Sequence, residues 1–530
     1  MKKVLSLLLA VCLIISLLAA CGGKTGDPVQ NNKAEALTDK YRNYYQVWIG
    51  SFCDSNNDMT GDLPGVISKL DYLNDGDPNG GDDLGVDGIW LSPMMPSQSY
   101  HKYNVRDYFN IDPAFGTLDD FDKLITECHN RGVKVIIDLV LNHSGNDHEF
   151  FKKACEELSQ GKLDGYARYY NISRTKDATY NQSVPDSVYY YEGQFDKTMP
   201  DWNLSFQGTR DYFDKVVKFW LDRGVDGFRL DAIKHFEDQN TDGVEFMKWF
   251  YQMAQGYNPD VYMVGENWSE SGDIYEMYDS GIDSQFNFKF ADTGGEFVVA
   301  SHGAVADMAT KLKKFDDNIK KHNENAINAN FLTNHDMNRL YNMLDEEDNK
   351  MAAALYMLAP GNTFTYYGEE IGIEAPSETG DANYRTAMIW DNDNLPDIEY
   401  LGSPDVQKNE LGGVKQQLEQ DHSLLNTYRK LIKIRQQNPE IARGDIEEVV
   451  DFSDTYCTGM VINHNDSRVM VIHNGGKEAK ELTIDAIEKP ELRGWSIADK
   501  AAEPSEETPK LSKTKLSIPA RTSVVLKEKK

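Results

Sequence analysis

Cysteine is scarce in this chain, with six among 530 residues. Cys53, Cys128, Cys155 and Cys457 are scattered without Cys-x-x-Cys spacing, which argues against a thiolate metal site. Nothing selects a pairing among them, and free, mostly buried thiols are expected. Basic residues are also few: 55 Lys and Arg stand against 86 Asp and Glu, a net charge of −31. A surface this acidic repels phosphate backbones, so no nucleic-acid partner is expected. The charge suits a soluble exported protein and says nothing about a neutral substrate. No internal repeat or long low-complexity run is present, so a repeat array is not expected. The one long apolar run, Val4 to Leu18, is too short and wrongly flanked for a stable membrane span.

That run reads instead as an export signal. Lys2 and Lys3 supply the positive start, and the run closes in Leu18-Ala19-Ala20-Cys21, followed by Gly22-Gly23. The segment closely resembles a bacterial lipoprotein signal. The resemblance implies a signal peptide over 1–20, cleavage before Cys21 and a lipid on its sulfur. Residues 21–40 are small, polar and charged and read as a flexible tether. The expectation is an exported, lipid-anchored monomer facing the outside or the periplasm, touching the membrane only through that lipid.

With 40% hydrophobic and 11% aromatic residues, the mature chain can build a large core, and its length calls for two or three domains. Candidate strands are Tyr45–Gly50, Gly88–Pro93, Lys134–Val140, Gly227–Ala232, Tyr262–Asn267, Ser284–Phe288, Ile327–Asn334 and Asn362–Gly368. Between them run helical patterns at Leu118–Arg131, Arg210–Arg223, Val244–Gln255 and Met351–Leu358. Arg131-Gly132 and Arg223-Gly224 mark helix ends. Alternation of this kind predicts a closed (β/α)8 TIM barrel over 41–142 and 207–439. Residues 143–206 are rich in Tyr, Asn, Ser and Asp, lack a long helical period, and read as a subdomain inserted after the third strand. From 440 to 530 short alternating segments separated by turns predict a C-terminal antiparallel β-sandwich domain.

Four of the barrel segments begin apolar and close in polar residues: Asp138-Leu-Val-Leu-Asn142-His143, Gly227-Phe-Arg229-Leu-Asp231-Ala232-Ile-Lys234-His235, Val264-Gly265-Glu266-Asn267-Trp268 and Phe331-Leu-Thr-Asn334-His335-Asp336. The closing position of a barrel strand is the C-terminal rim, where active sites are built. Asp231, Glu266 and Asp336 would then surround one cleft, which is the equipment for breaking a glycosidic bond with two carboxylates and a helper. Arg229, two residues before Asp231, shares its strand face and would hold it ionised. Glu266 follows an apolar run, so desolvation would raise its pKa for the role of general acid. A second signal is Asp54-Ser-Asn56-Asn-Asp58-Met-Thr60-Gly61-Asp62, whose oxygens at alternate positions suit a hard cation.

The four stretches match the four signature regions of the α-amylase family of retaining α-glucoside hydrolases. Gly88-Ile-Trp-Leu-Ser-Pro93, Met199-Pro200-Asp201-Trp202-Asn203 and Pro360-Gly-Asn-Thr-Phe-Thr-Tyr-Tyr-Gly-Glu369 agree as well. The resemblance covers nearly all of residues 41–530. It implies Asp231 as nucleophile, Glu266 as general acid and base, and Asp336 as the carboxylate that grips sugar hydroxyls and favours ring distortion. His143 and His335 resemble its neutral partners, and Tyr103 the family's stacking tyrosine. Lys102 departs from the small residue usual before that tyrosine, so the entrance there is expected to differ. Asp138 is expected to orient Arg229. The acidic loop resembles the calcium site of oligo-1,6-glucosidase-like members, with Asp54, Asn56, Asp58 and Asp62 ligating by side chain and Thr60 by its carbonyl. A second calcium site between barrel and insertion would use Asn142 and the His235 carbonyl.

Ala232, where α-1,6-specific relatives tend to carry Val, and Lys234-His235 resemble members that cut α-1,4 bonds. Met199-Pro-Asp-Trp-Asn203 resembles the group intermediate between oligo-1,6-glucosidases and neopullulanases. The expected function is α-1,4 hydrolysis of starch or maltooligosaccharides. The alternatives are an α-glucosidase, a neopullulanase or a glucanotransferase of the same family, or, in another class, a sugar-binding lipoprotein of an importer.

Overall fold

The apolar stretches at the heart of the chain pair with one another in parallel. In the computed structural model, residues 37–528 are described apart from 78–79, 239–240, 270–272, 377–379, 400–405, 485–494, 503–507 and 513–514. The signal peptide, Cys21 and most of the tether lie outside the described residues. The barrel strands are β1 (Asn43–Val47), β2 (Gly88–Leu91), β3 (Lys134–Leu139), β4 (Gly227–Leu230), β5 (Tyr262–Gly265), β6 (Ser284–Gln285), β7 (Ala329–Phe331) and β8 (Asn362–Tyr366). They hydrogen-bond in the order β7-β8-β1-β2-β3-β4-β5-β6. A parallel bridge between Phe286 and Ala329 joins the two ends of that sheet into a ring.

The ring is filled by large side chains, as a packed barrel requires. Tyr44 stacks on Phe364 at 4.7 Å and on Tyr262 at 5.4 Å, with Trp90, Ile136, Val264 and Phe286 in the same interior cluster. A Cβ on Gly88 would lie 2.4 Å from the Tyr44 ring, so this close approach needs glycine. Helices wrap the outside. Leu118–Asn130 starts on a Thr117–Asp120 capping box and turns Phe121, Leu124, Ile125 and Cys128 inward.

The strands end earlier than the sequence pattern suggests. β4 stops at Leu230 and β5 at Gly265, so Asp231 and Glu266 sit just past the ladder. The apolar run continues beyond the last ladder hydrogen bond because these residues still face a buried rim. The chain must also turn there, and Ala232 does so with φ +52°.

The insertion holds more helix than its composition suggests. Glu149–Ser159 is an α-helix that buries Phe151, Ala154 and Leu158 on one stripe. The charged Lys152, Lys153, Glu156 and Glu157 between them dilute the period. A short 3-10 helix, Tyr166–Tyr169, and three two-residue strands, Ile172–Ser173, Gln182–Ser183 and Tyr190–Tyr191, follow that α-helix. The antiparallel bridge His143–Asp201 ties the segment's two ends together at the rim.

From Asp445 onward the chain forms antiparallel sheets of five and three strands around Val461, Met470, Ile472, Leu516, Ile518, Val524 and Leu526. At the other end the tether, as read from sequence, runs too far. Lys40 Nζ meets Asp283 at 2.7 Å and Asp39 meets Arg443 at 2.6 Å, so residues 37–40 already belong to the folded body. Asp283 is almost wholly buried and takes its countercharge from Lys40. Cys53, Cys128, Cys155 and Cys457 are unpaired. Among the described residues no helix is long and apolar enough to cross a membrane.

Candidate active site

Three carboxylates converge on one buried guanidinium at the C-terminal rim. Arg229 Nη1 lies 2.6 Å from Asp231 and 2.9 Å from Asp138, and Nη2 lies 3.1 Å from Glu266. Adjacent parallel strands produce this: Asp138 on β3 registers with Arg229 on β4, which registers with Val264 two residues before Glu266. Asp231 and Glu266 are also hydrogen-bonded to each other, so the two carboxyls share one small volume. Burial pushes the Asp231 carboxyl up, and Arg229 draws it back only in part. Burial likewise raises Glu266, to about 7, against the pull of Arg229 and with the push of Asp231 and Asp336. With Glu266 holding the shared proton, Asp231 remains the anion of the pair. Asp138 is wholly buried, which raises it, but Arg229, Trp90 Nε1 and Tyr103 Oη all donate to it.

Asp336 stands on the other side, attached to a second arginine. Arg385 Nη2 reaches it at 2.7 Å, while the same guanidinium donates to the His335 carbonyl and to Tyr100 Oη. Burial alone would raise Asp336, yet His335 and Arg385 hold it well below the usual carboxylate range. His335 is itself driven toward its neutral form by burial, so the lasting positive charge is that of Arg385. Gln46 Nε2 donates to His335 Nδ1 at 2.7 Å, which leaves the ring proton on Nε2, facing Asp336 at 3.0 Å and Tyr103 Oη at 2.6 Å. Tyr103 lies parallel to the His335 ring at 5.7 Å. Lys102, the residue before Tyr103, is buried in a left-handed turn at φ +65°, with Nζ on Asp112 at 2.9 Å.

The remaining residues read from sequence lie around this core. His143 is buried, its pKa lowered to about 3 by that burial, and its Nε2 has no hydrogen-bond partner. Lys234 Nζ donates to the Trp268 carbonyl at 3.3 Å, and His235 packs edge-on to Phe195 at 5.2 Å. Gln46, Trp90 and Arg385 were not singled out from sequence. Trp90 and Gln46 lie inside strands whose apolar look hides them. Arg385 lies outside every strand-end motif, and only its contacts reveal it.

The two places expected to hold calcium differ in their hydrogen bonding. In the Asp54–Asp62 loop the carboxylates accept from their own backbone: Asp54 from the N–H groups of Asn56, Asn57 and Met59, Asp58 from Thr60, and Asp62 from Gly65. Among the described residues no three His, Cys, Asp or Glu side chains gather closely enough to form a metal cage. A cavity of about 50 Å3 between barrel and insertion is lined by Asn142, Asn171, Glu192, Asp201, His235 and Asp238. Asp201 Oδ1 and Asn171 Oδ1 are buried there without a partner, and burial, together with Glu192, raises Asp201 well above its ordinary value. Unpartnered oxygens and excess acid in so small a space are a donor set that fits a hard cation.

Residues 46–444 match the model of the α-amylase catalytic domain. The chain belongs to the α-amylase family. "Alpha-amylase 3" of Dictyoglomus thermophilum is 34% identical over 443 residues, covering 82% of this chain and 85% of that protein. Among solved structures, Amy13B of Eubacterium rectale superposes with a TM-score of 0.85 at 36% identity, covering 93% of this chain and 97% of the other. An α-amylase from H. orenii gives 0.81 at 34% identity, covering 93% and 100%. The chain is thus an α-amylase-family glycoside hydrolase, with the (β/α)8 barrel and C-terminal β domain described above.

Proposed function

We propose that this family member is a retaining hydrolase of α-1,4-glucosidic bonds in starch or maltooligosaccharides. The observation that carries this is the single guanidinium of Arg229 shared by Asp231 and Glu266. Retention needs two carboxyls only about 5 Å apart, and groups paired to one guanidinium and to each other satisfy that. Asp231 attacks the anomeric carbon while Glu266 protonates the leaving oxygen. Water, deprotonated by Glu266, then releases the sugar from Asp231. Asp336, His335 and His143 grip the hydroxyls of the same sugar. The free Nε2 of His143 supports its part, as does the neutral state of both rings. Small Ala232 beside the nucleophile supports the α-1,4 assignment.

Calcium is part of the proposal. The Asn142–Asp201 cavity would hold it with side-chain oxygens, and the Asp54–Asp62 loop offers a second oxygen-only set of donors. Bound there, the ion would neutralise buried acid and stiffen the join between barrel and insertion. Export and anchoring through Cys21 are proposed from the signal alone. Replacing Cys21 by Ser should release the protein from the membrane fraction, and retention would end that reading.

The test is a product profile from maltoheptaose and from the α-1,6-linked isomaltooligosaccharides, with product anomers followed by NMR. α-Configured maltooligosaccharides from the first substrate and slow turnover of the second are expected. Inverted products, or equal turnover by Asp231→Asn, would refute the assignment. Release of single glucose units only would favour the α-glucosidase alternative.

A further inference from the structure

Trp48 directly follows β1 on the rim side of the barrel. It is 2% exposed, yet its Nε1 has no hydrogen-bond partner among the described residues. A buried N–H left unpaired costs stability, so hydrogen bonding is not what keeps an indole at this position. What the indole does have is ring contacts. The Arg385 guanidinium lies 4.4 Å from its ring centre, and the His335 imidazole lies 5.2 Å away at 25°. The series continues in both directions. Arg385 also lies over Tyr100 at 5.3 Å, His335 is parallel to Tyr103 at 5.7 Å, and Arg229 stands 5.7 Å from the Tyr103 ring. Arg385, Trp48, His335, Tyr103 and Arg229 thus form an unbroken series of planar groups. At one end is the guanidinium that holds Asp336, and at the other the guanidinium that holds Asp231 and Glu266.

We infer that Trp48 is a positioning residue, which fixes Asp336 relative to the Asp231–Glu266 pair through Arg385 and His335. The inference rests on the roles proposed above for these three carboxylates and adds how their spacing is kept. Asp336 follows β7 and Asp231 follows β4, which are not neighbours in the sheet, so no shared ladder sets their separation. Arg385 lies outside the barrel strands altogether. A guanidinium over an aromatic face is held by the ring's quadrupole, and more firmly when both are out of water, as Trp48 and Arg385 are. Held there, Arg385 presents Nη2 to Asp336 at 2.7 Å while its Nε donates to the His335 carbonyl at 3.0 Å. An aliphatic side chain at position 48 would fill space but offer no such face. The guanidinium could then turn, and Asp336 would keep less of its countercharge. The other charged and titratable groups around Asp336 are His335 at 3.0 Å, Arg229, Asp231 and Glu266 across the site, and Tyr100, His101 and Tyr103 at its edge. Asp381 stands beyond Arg385 at 3.8 Å. Arg385 and His335 are the two that touch Trp48.

The experiment follows Trp48→Leu, Trp48→Phe and Arg385→Lys on maltoheptaose across pH. In Trp48→Leu, kcat should fall about tenfold with KM within about threefold of wild type. The acid limb of its kcat/KM profile should move up by about one pH unit, as Asp336 takes a proton more readily. Trp48→Phe keeps an aromatic face and should leave both quantities near wild type. Arg385→Lys keeps the charge but loses the plane, and should move the acid limb in the same direction. Joined to Trp48→Leu it should add little, because the two changes break one contact. A loss of rate that is equal at every pH, the same behaviour from Phe and Leu at position 48, or full additivity with Arg385→Lys would overturn the inference. An unmoved acid limb in Arg385→Lys would do so on its own, and Trp48→Met is held to the same criteria if Trp48→Leu does not fold. A wild-type enzyme inert on maltoheptaose would overturn the proposed activity instead, a failure distinct from an active enzyme whose variants do not differ in pH profile.

Discussion

The backbone N–H of Ala232 donates to Oε2 of Glu266 at 3.0 Å, from a residue held at φ +52°. The residue after the proposed nucleophile thus helps to aim the proposed acid, and the bond lowers the acid's pKa. A β-branched side chain tolerates this backbone poorly. Ala232→Val should cost about 1–3 kcal/mol of stability and move the alkaline limb of the rate profile upward. Ala232→Gly should leave that limb in place. Thermal melting and pH–rate curves measure both effects.

Glu266, raised to about 7, is the acid of the first step and must be protonated. As pH rises through that value the proton is lost, so kcat/KM on maltoheptaose should decline above about pH 7. α-Maltosyl fluoride needs no proton on its leaving group, and its rate should hold across the same range while the glycosyl-enzyme forms. A common alkaline limb for both substrates would disconnect Glu266 from acid catalysis.

Arg229 is the only guanidinium in reach of Asp138, Asp231 and Glu266 among the described ion pairs. Arg229→Met would leave buried carboxylates without a countercharge and should cost about 3–5 kcal/mol at pH 7. Without the cation these groups take up protons more readily. The deficit relative to wild type should therefore shrink as pH falls from 7 to 5. Chemical denaturation at the two pH values decides it.

Glu369 lies buried behind β8, with Tyr428 Oη donating at 2.8 Å and Thr333 Oγ1 at 2.9 Å. Burial raises its carboxyl from an ordinary value near 4.5 to about 8. The fold therefore keeps a proton that the unfolded chain gives up. Its stabilising contribution is complete below about 4.5 and is lost as pH rises through 8. Glu369→Gln should flatten that decline, melting higher than wild type at pH 8.5 but not at pH 5.

Chelation should lower the melting temperature and added calcium should restore it. Asp201→Asn should remove the part of this response due to the cavity between barrel and insertion, and Asp54→Asn the part due to the loop. Full response in both variants would remove calcium from both places.

Much of the fold could be read in the chain because barrel strands are short, apolar and spaced by helices with ordinary caps. Asp231, Glu266 and Asp336 were legible because each follows closely on an apolar run, at the end of a barrel strand where active sites are built. What stayed hidden depends on distance in space. Arg385 has no pattern around it, and its role appears only where its fork reaches Asp336 and Tyr100. The helix Glu149–Ser159 was masked by charged residues between its buried positions. The partner of Lys102 was hidden too, since nothing in the sequence joins it to Asp112.

The ring is not equally strong all round. Between β6 and β7 it is held by the Phe286–Ala329 bridge, by the bonds from Asn287 N to the Ala329 carbonyl at 3.0 Å and from Ile327 N to the Asp283 carbonyl at 2.8 Å, and by the Ser284 hydroxyl donating to the Ile327 carbonyl at 2.7 Å. β6 itself is only two residues long. Such a seam is where the cylinder would first unzip on warming, so deuterium should enter the backbone amides of 284–287 well before those of β1 and β8.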